Sequence, residues 1–170
     1  MALFGTSRCL LGWLALASLA GCSADVAPGE PVELELGIGD QNFEPLVRGQ
    51  HAPLYAGNQG GYHVWLCFRA RGLSTNDVRM RLDLTPELPS MPSHWNLPIS
   101  MSPVPDRDSE GSMLEFIGWR AQVLQPECAV GSPVKIELTI EDEHGLRASV
   151  ESEVVPDPPE QGFRRACPTP

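Results

Sequence analysis

Short runs of alternating apolar and polar residues recur along this chain, and no segment sustains the 3.6-residue period of an amphipathic helix. A period of two puts successive side chains on opposite faces, which is the signature of a strand buried on one side. Val32-Glu-Leu-Glu-Leu-Gly-Ile38 shows it over its whole length. Further runs are Tyr62–Ala70, Val78–Leu84, Ser112–Leu124, Val134–Ile140 and Arg147–Val155. Gly57-Asn-Gln-Gly-Gly61 and Arg71-Gly-Leu-Ser-Thr-Asn-Asp77 supply turn chemistry between them, and a proline-rich loop is expected from Thr85 to about Asp108. About seven short strands with turns every 8–15 residues predict an all-β, antiparallel sandwich. Its expected extent is 32–156, followed by a proline-rich C-terminal tail, 157–170.

The first 21 residues read differently. Arg8 precedes an apolar stretch from Cys9 to Ala20. That stretch is about a dozen residues, against the roughly 20 that cross a bilayer as a helix, so a cleaved signal peptide (1–21) is expected. It ends in Leu19-Ala20-Gly21-Cys22, which resembles the lipobox of bacterial lipoproteins. The resemblance implies cleavage before Cys22 and acylation of its thiol, with palmitate-type chains anchoring the protein in a membrane. At about 0.8 kcal/mol per buried methylene, three such chains hold far more firmly than one. Ser23 in place of an aspartate implies, by the same resemblance, the outer membrane of a Gram-negative envelope, facing the periplasm or the exterior. Residues 22–31 are then a flexible tether reaching roughly 15–18 Å.

Charge and cysteine count narrow the rest. The chain has 12 basic and 22 acidic side chains, a net charge of −10, and loss of Arg8 with the signal makes the remainder more negative still. Nucleic-acid binding needs a basic footprint, and no nucleic-acid partner is expected. Cys67, Cys128 and Cys167 remain after Cys22 in an oxidising compartment. The runs 134–140 and 147–155 form a hairpin, which brings the start of one beside the end of the other. A Cys128–Cys167 disulfide is therefore expected, worth roughly 4 kcal/mol for a loop of about 40 residues. Cys67–Cys128 is the alternative, with Cys67 on an outward strand position.

Val134 to Val155 also looks like the closing hairpin of immunoglobulin-like and PKD-like bacterial surface domains: an alternating strand, an acidic turn with Gly145, then a second alternating strand. The chain as a whole is similar to small envelope lipoproteins carrying a Gln-Gly-Gly-x-His-x-Trp segment, here Gln59 to Trp65, a resemblance that brings no assigned activity.

Chemistry is sparse. No nucleophile elbow, zinc-protease helix motif or P-loop occurs, and neither catalysis nor a cofactor is expected. Gly37-Ile-Gly39 is a strand end, and Glu141-Asp-Glu-His-Gly145 is a hairpin turn lacking the length of an EF-hand loop. The histidines and methionines, above all Met91, His94 and Met101 in the proline-rich loop, form the best cluster for copper or zinc, without paired spacing. Met80 falls on an inward strand face.

Alternation marks one further surface. In 62–70, Val64, Leu66 and Phe68 point inward, leaving His63, Trp65, Cys67, Arg69 and, just beyond, Arg71 outward. In 78–84 the outward set includes Arg79 and Arg81. If these two strands pair, Trp65 lies beside four arginines: either it stacks on their stems or the proline-rich loop around Met91 to Pro98 folds over it, or the face is a contact surface for an envelope protein or an anionic ligand. The expected function is a lipid-anchored, non-catalytic binding or structural module of the envelope; the alternative is a small metal-binding envelope lipoprotein.

Overall fold

The computed structural model describes residues 32–58, 60–74, 77–87, 90–105, 112–163 and 166–167. The signal segment, Cys22 and the tether lie outside the described residues. Eleven strands and one short helix are present among those that are described. The first sheet holds β1 (Glu33–Ile38), β2 (Glu44–Pro45), β4 (Tyr55–Ala56), β5 (Tyr62–Arg71), β8 (Ser102–Pro105) and β9 (Ser112–Val123). Its order is β2-β1-β5-β9-β8, with β4 on β5. The second runs β3-β11-β10-β6-β7, from β3 (Gln50–Pro53), β11 (Arg147–Asp157), β10 (Val134–Glu141), β6 (Val78–Pro86) and β7 (Ser93–Ile99). The molecule is thus all-β and sandwich-like. One pairing is parallel, β3 on β11, so the sheets are not antiparallel throughout.

The core is what alternation delivers. Val64, Leu66 and Phe68 of β5 meet Val78, Met80, Leu82 and Leu84 of β6 and Val134, Ile136, Leu138 and Ile140 of β10, each at most 1% exposed. Burying such side chains contributes roughly 1.5–3 kcal/mol apiece. The final hairpin is in register from Val134↔Val154 to Glu141↔Arg147, and Cys128 is bonded to Cys167 with Cα atoms 4.8 Å apart. Cys128 lies on α1 (Pro126–Ala129), which follows β9, so the bond ties the end of one sheet to the chain leaving the other. Part of the expected tail also packs back, Phe163 meeting Tyr62 edge-on at 5.3 Å.

The proline-rich loop is where the expectation fails. It contains β7 and β8, and Met101 between them is buried where the chain passes from the second sheet to the first. Pro98, Pro103 and Pro105 are tolerated because both strands are sheet edges, where one side of the backbone has no ladder to feed.

Candidate binding face

The expected arginine patch does not exist as one surface. β5 pairs with β1, β4 and β9, whereas β6 pairs with β10 and β7 in the other sheet. The link from Arg71 to Val78 crosses between layers instead of closing a hairpin, with Gly72 and Asp77 at φ of 74° and 44°. His63, Trp65, Arg69 and Arg71 therefore occupy the outer side of the first sheet. Arg79 and Arg81 occupy the outer side of the second, across the core. Most of these cations are also engaged: Arg69 binds Glu115 at 2.6 Å, Arg71 binds Glu33 at 2.7 Å and Arg81 binds Asp83 at 2.9 Å.

What the register does bring together is a tile around His63 and Trp65. Tyr55 of β4 stands opposite His63, and His63 stands opposite Gln122 of β9. Two residues further along β5, Trp65 stands opposite Arg120. Period-two alternation then puts Tyr55, His63, Gln122, Trp65 and Arg120 on one face. The rings touch: His63 meets Trp65 edge-on at 4.7 Å, Tyr55 lies 6.1 Å from His63 and 6.3 Å from Trp65, and the Arg120 guanidinium sits 5.1 Å above the Trp65 ring. Such a cation over an aromatic face is attracted by the ring quadrupole.

Packing on this scale buries an outward residue. His63 is 7% exposed, and its Nε2 has no hydrogen-bond partner among the described residues. Burial, and secondly the charge of Arg120, hold its pKa below the usual imidazole value. Two clefts flank the tile. One, of about 540 Å³, runs between the Gly57–Gly61 turn and β9, with His63, Arg120 and Gln122 along it. The other, of about 270 Å³, is bounded by Tyr55, Trp65, Asp40 and Glu44. Gly60 and Gly61 adopt φ of 88° and 81°, and a Cβ at Gly61 would sit 3.1 Å from the Gln122 amide nitrogen. Glycine there lets the turn close onto β9.

Below the tile the same face is sealed. Phe43 lies over the Gly37–Cys67 pair, so closely that a Cβ on Gly37 would come within 2.6 Å of its ring, and Arg69 stacks on Phe43 at 4.1 Å. Cys67 is an outward residue with no exposure, and burial pushes its thiol up to about 12. Opposite it, β9 slips by a bulge between its pairings with Leu66 and Phe68, and Gly118 within that bulge adopts φ 75°.

The metal candidates are dispersed. His94 engages Asp83 at 2.9 Å, Met101 is core and Met91 is exposed. His51 engages Asp157 at 2.7 Å. Among the described residues no three His, Cys, Asp or Glu side chains are grouped to hold a metal ion. The acidic turn has a structural occupation. Asp142 is 5% exposed and accepts backbone N–H bonds from Ser74, His144 and Leu146, each at 2.9 Å. Burial pushes its pKa up, but those bonds and the charge of His144 outweigh it, and the net shift is downward.

The chain matches no family model, no curated protein and no solved structure. Tyr55, Arg120 and Gln122 were absent from the sequence-based surface. Alternation in Ser112–Val123 marks the last two as outward, but their pairing with His63 and Trp65 depends on the bulge.

Proposed function

We propose that the protein is a lipid-anchored envelope protein whose immunoglobulin-like sandwich serves as a non-catalytic binding module, with the Tyr55–His63–Gln122/Trp65–Arg120 tile as its contact face. The strand order supports the fold reading. β1-β5-β9-β8 follows the A-B-E-D order of an immunoglobulin sheet, and β11-β10-β6-β7 follows G-F-C-C′. The lipobox at Leu19–Cys22 and Ser23 support a lipid anchor in the outer membrane.

The observation that supports the function is the placement of the tile relative to Glu33, where the first described strand begins. Glu33, the first residue of β1, pairs with Arg71 at one end of β5, while Tyr62 and His63 open the other end. Ten residues of β5 at about 3.3 Å each set the two ends about 30 Å apart. A tether entering at Glu33 holds the opposite end, with its aromatic tile and two clefts, away from the membrane. Trp, Tyr and Arg are the residue types that dominate binding hot spots, because they combine area with hydrogen bonding. The non-catalytic assignment draws support from Cys67, whose thiol is sealed and kept protonated at neutral pH by burial.

Two variants of the full chain test this. Cys22→Ser is expected to accumulate as precursor, or to lose membrane partition; maturation and fractionation like wild type refute the anchor. The double variant Tyr55→Ala/Trp65→Ala is expected to lose envelope partners recovered by cross-linking while still unfolding in one cooperative transition, at a melting temperature lowered by the lost cover over His63. Unchanged recovery refutes the face.

A further inference from the structure

The smaller cleft, of about 270 Å³, lies where the chain changes sheets. Pro53 ends β3 in the second sheet and Tyr55 opens β4 in the first, while Trp65 comes from β5. Asp40 lies in the turn after β1, and Glu44 opens β2 opposite Ile38. That turn is fastened at both ends. The Gly39 N–H donates to the Trp65 carbonyl at 3.3 Å, and the Leu46 N–H donates to the Leu36 carbonyl at 3.0 Å.

The walls combine two chemistries. Tyr55 and Trp65 supply rings, their centroids 6.3 Å apart and their planes tilted by 58°. Asp40 and Glu44 supply carboxylates, both exposed, and neither has an ion pair among the described residues. Further along this face Glu33 and Glu115 are matched by Arg71 and Arg69. No cation among the described residues lines the cleft with Asp40 and Glu44. Arg120, 5.1 Å above the Trp65 ring, lines the other cleft instead.

We propose that this cleft receives a lysine side chain of a partner protein, a step that rests on the tile being a contact face. Its volume is below the roughly 300–1,000 Å³ of small-molecule sites and suits one side chain better than a whole ligand. Unmatched carboxylates beside aromatic rings select a cation, which both acid oxygens and ring faces attract. The two carboxylates stand on separate elements, and an ammonium has three N–H donors to divide between them. An arginine fork instead matches one carboxylate bidentately and gains less from two set apart. The methylene stem of lysine covers Tyr55 and Pro53 while its charged head stays at the rim. The chain's single lysine, Lys135, is engaged by Glu137 and Glu151 on the other sheet, so a second copy does not supply the occupant. A net charge of −10 also speeds encounter with a basic partner.

The test uses the full chain in detergent micelles, with a capped Gly-Lys-Gly peptide as probe beside its side-chain-acetylated and Gly-Arg-Gly counterparts. The indole N–H resonance of Trp65, assigned by its loss in Trp65→Phe, reports occupancy. The lysine peptide is expected to shift it saturably, the acetylated peptide to leave it unmoved, and the arginine peptide to bind several-fold more weakly. Asp40→Asn/Glu44→Gln should weaken the lysine peptide roughly fivefold. Its melting temperature should match wild type, since both side chains are exposed. No saturable shift, an equal response to the acetylated peptide, or an unchanged affinity in Asp40→Asn/Glu44→Gln overturns the inference. An arginine peptide that binds as tightly also overturns it, reassigning the cleft to guanidinium groups. The broader reading fails on a different measurement, when Tyr55→Ala/Trp65→Ala leaves cross-linked partners unchanged.

Discussion

The outer faces of the two sheets obey the same alternation and end up unlike one another. On the second sheet, β6 runs buried–exposed almost without fault, and outward Lys135, Glu137, Thr139 and Glu141 of β10 form a solvated ladder with β11. Lys135 joins Glu137 and Glu151, and Thr139 meets Ser149 at 2.8 Å. On the first sheet, outward His63 and Cys67 are as buried as the core. The difference lies in what covers them: Phe43, Trp65 and Tyr55 close over β5, while the described residues place no element over β10. Alternation fixes which way a side chain points; its exposure depends on what else arrives there.

Matched substitutions expose that contrast most sharply. Cys67→Lys and Thr139→Lys put the same charge at two outward mid-strand positions. The first should destabilise by about 4 kcal/mol, because an unpaired ammonium cannot be accommodated beneath Phe43. The second should stay within about 0.5 kcal/mol. Denaturant titration measures both, and similar values for the pair would show that the first face is not sealed. A smaller effect is expected from Gly118→Ala. Its φ of 75° and the 2.9 Å approach of a Cβ to the Asp40 carbonyl oxygen predict a loss of about 2 kcal/mol. No change there would mean that the bulge relaxes freely.

The smallest effect is one of pH. Asp142 has a folded pKa below its unfolded value, so its stabilisation is complete above the unfolded pKa and disappears as pH falls through the folded one. Asp142→Asn should flatten the acid limb of a stability–pH curve below about pH 4. His63 adds a slope at milder pH: its depressed pKa means that the unfolded chain takes up a proton first, so stability declines as pH drops below about 6.5. An acid limb identical to wild type in Asp142→Asn would remove Asp142 from the account.

Much of the fold was legible because β5, β6, β9, β10 and β11 carry their own period-two signal and turn residues between them. β7 and β8 were not, since proline argues against a strand until the strand is known to be an edge. β3 and β4 are too short to show a period, and Leu54 between them is buried where the chain changes sheets. Two of the five residues of the candidate face could be read: His63 and Trp65 follow from alternation. The neighbours could not. Whether β5 lies beside β6 or β9 depends on a six-residue link that either turns back or crosses, and Gly72 permits both. Asp142 looked like any acidic turn residue because its third partner, Ser74, is 68 positions away.

The pairing of β1 with β5 has a mechanical consequence. Six residue pairs, Glu33↔Arg71 to Ile38↔Leu66, join an antiparallel pair whose free ends lie at opposite poles. If the chain is held at Glu33 and a load is applied near His63, the pull runs along the strand axes. The ladder is then strained sideways, all rungs at once, in the geometry that resists rupture better than peeling one rung at a time. The grip of this protein under tension would therefore be set by β1, the strand whose alternation runs almost from its first residue.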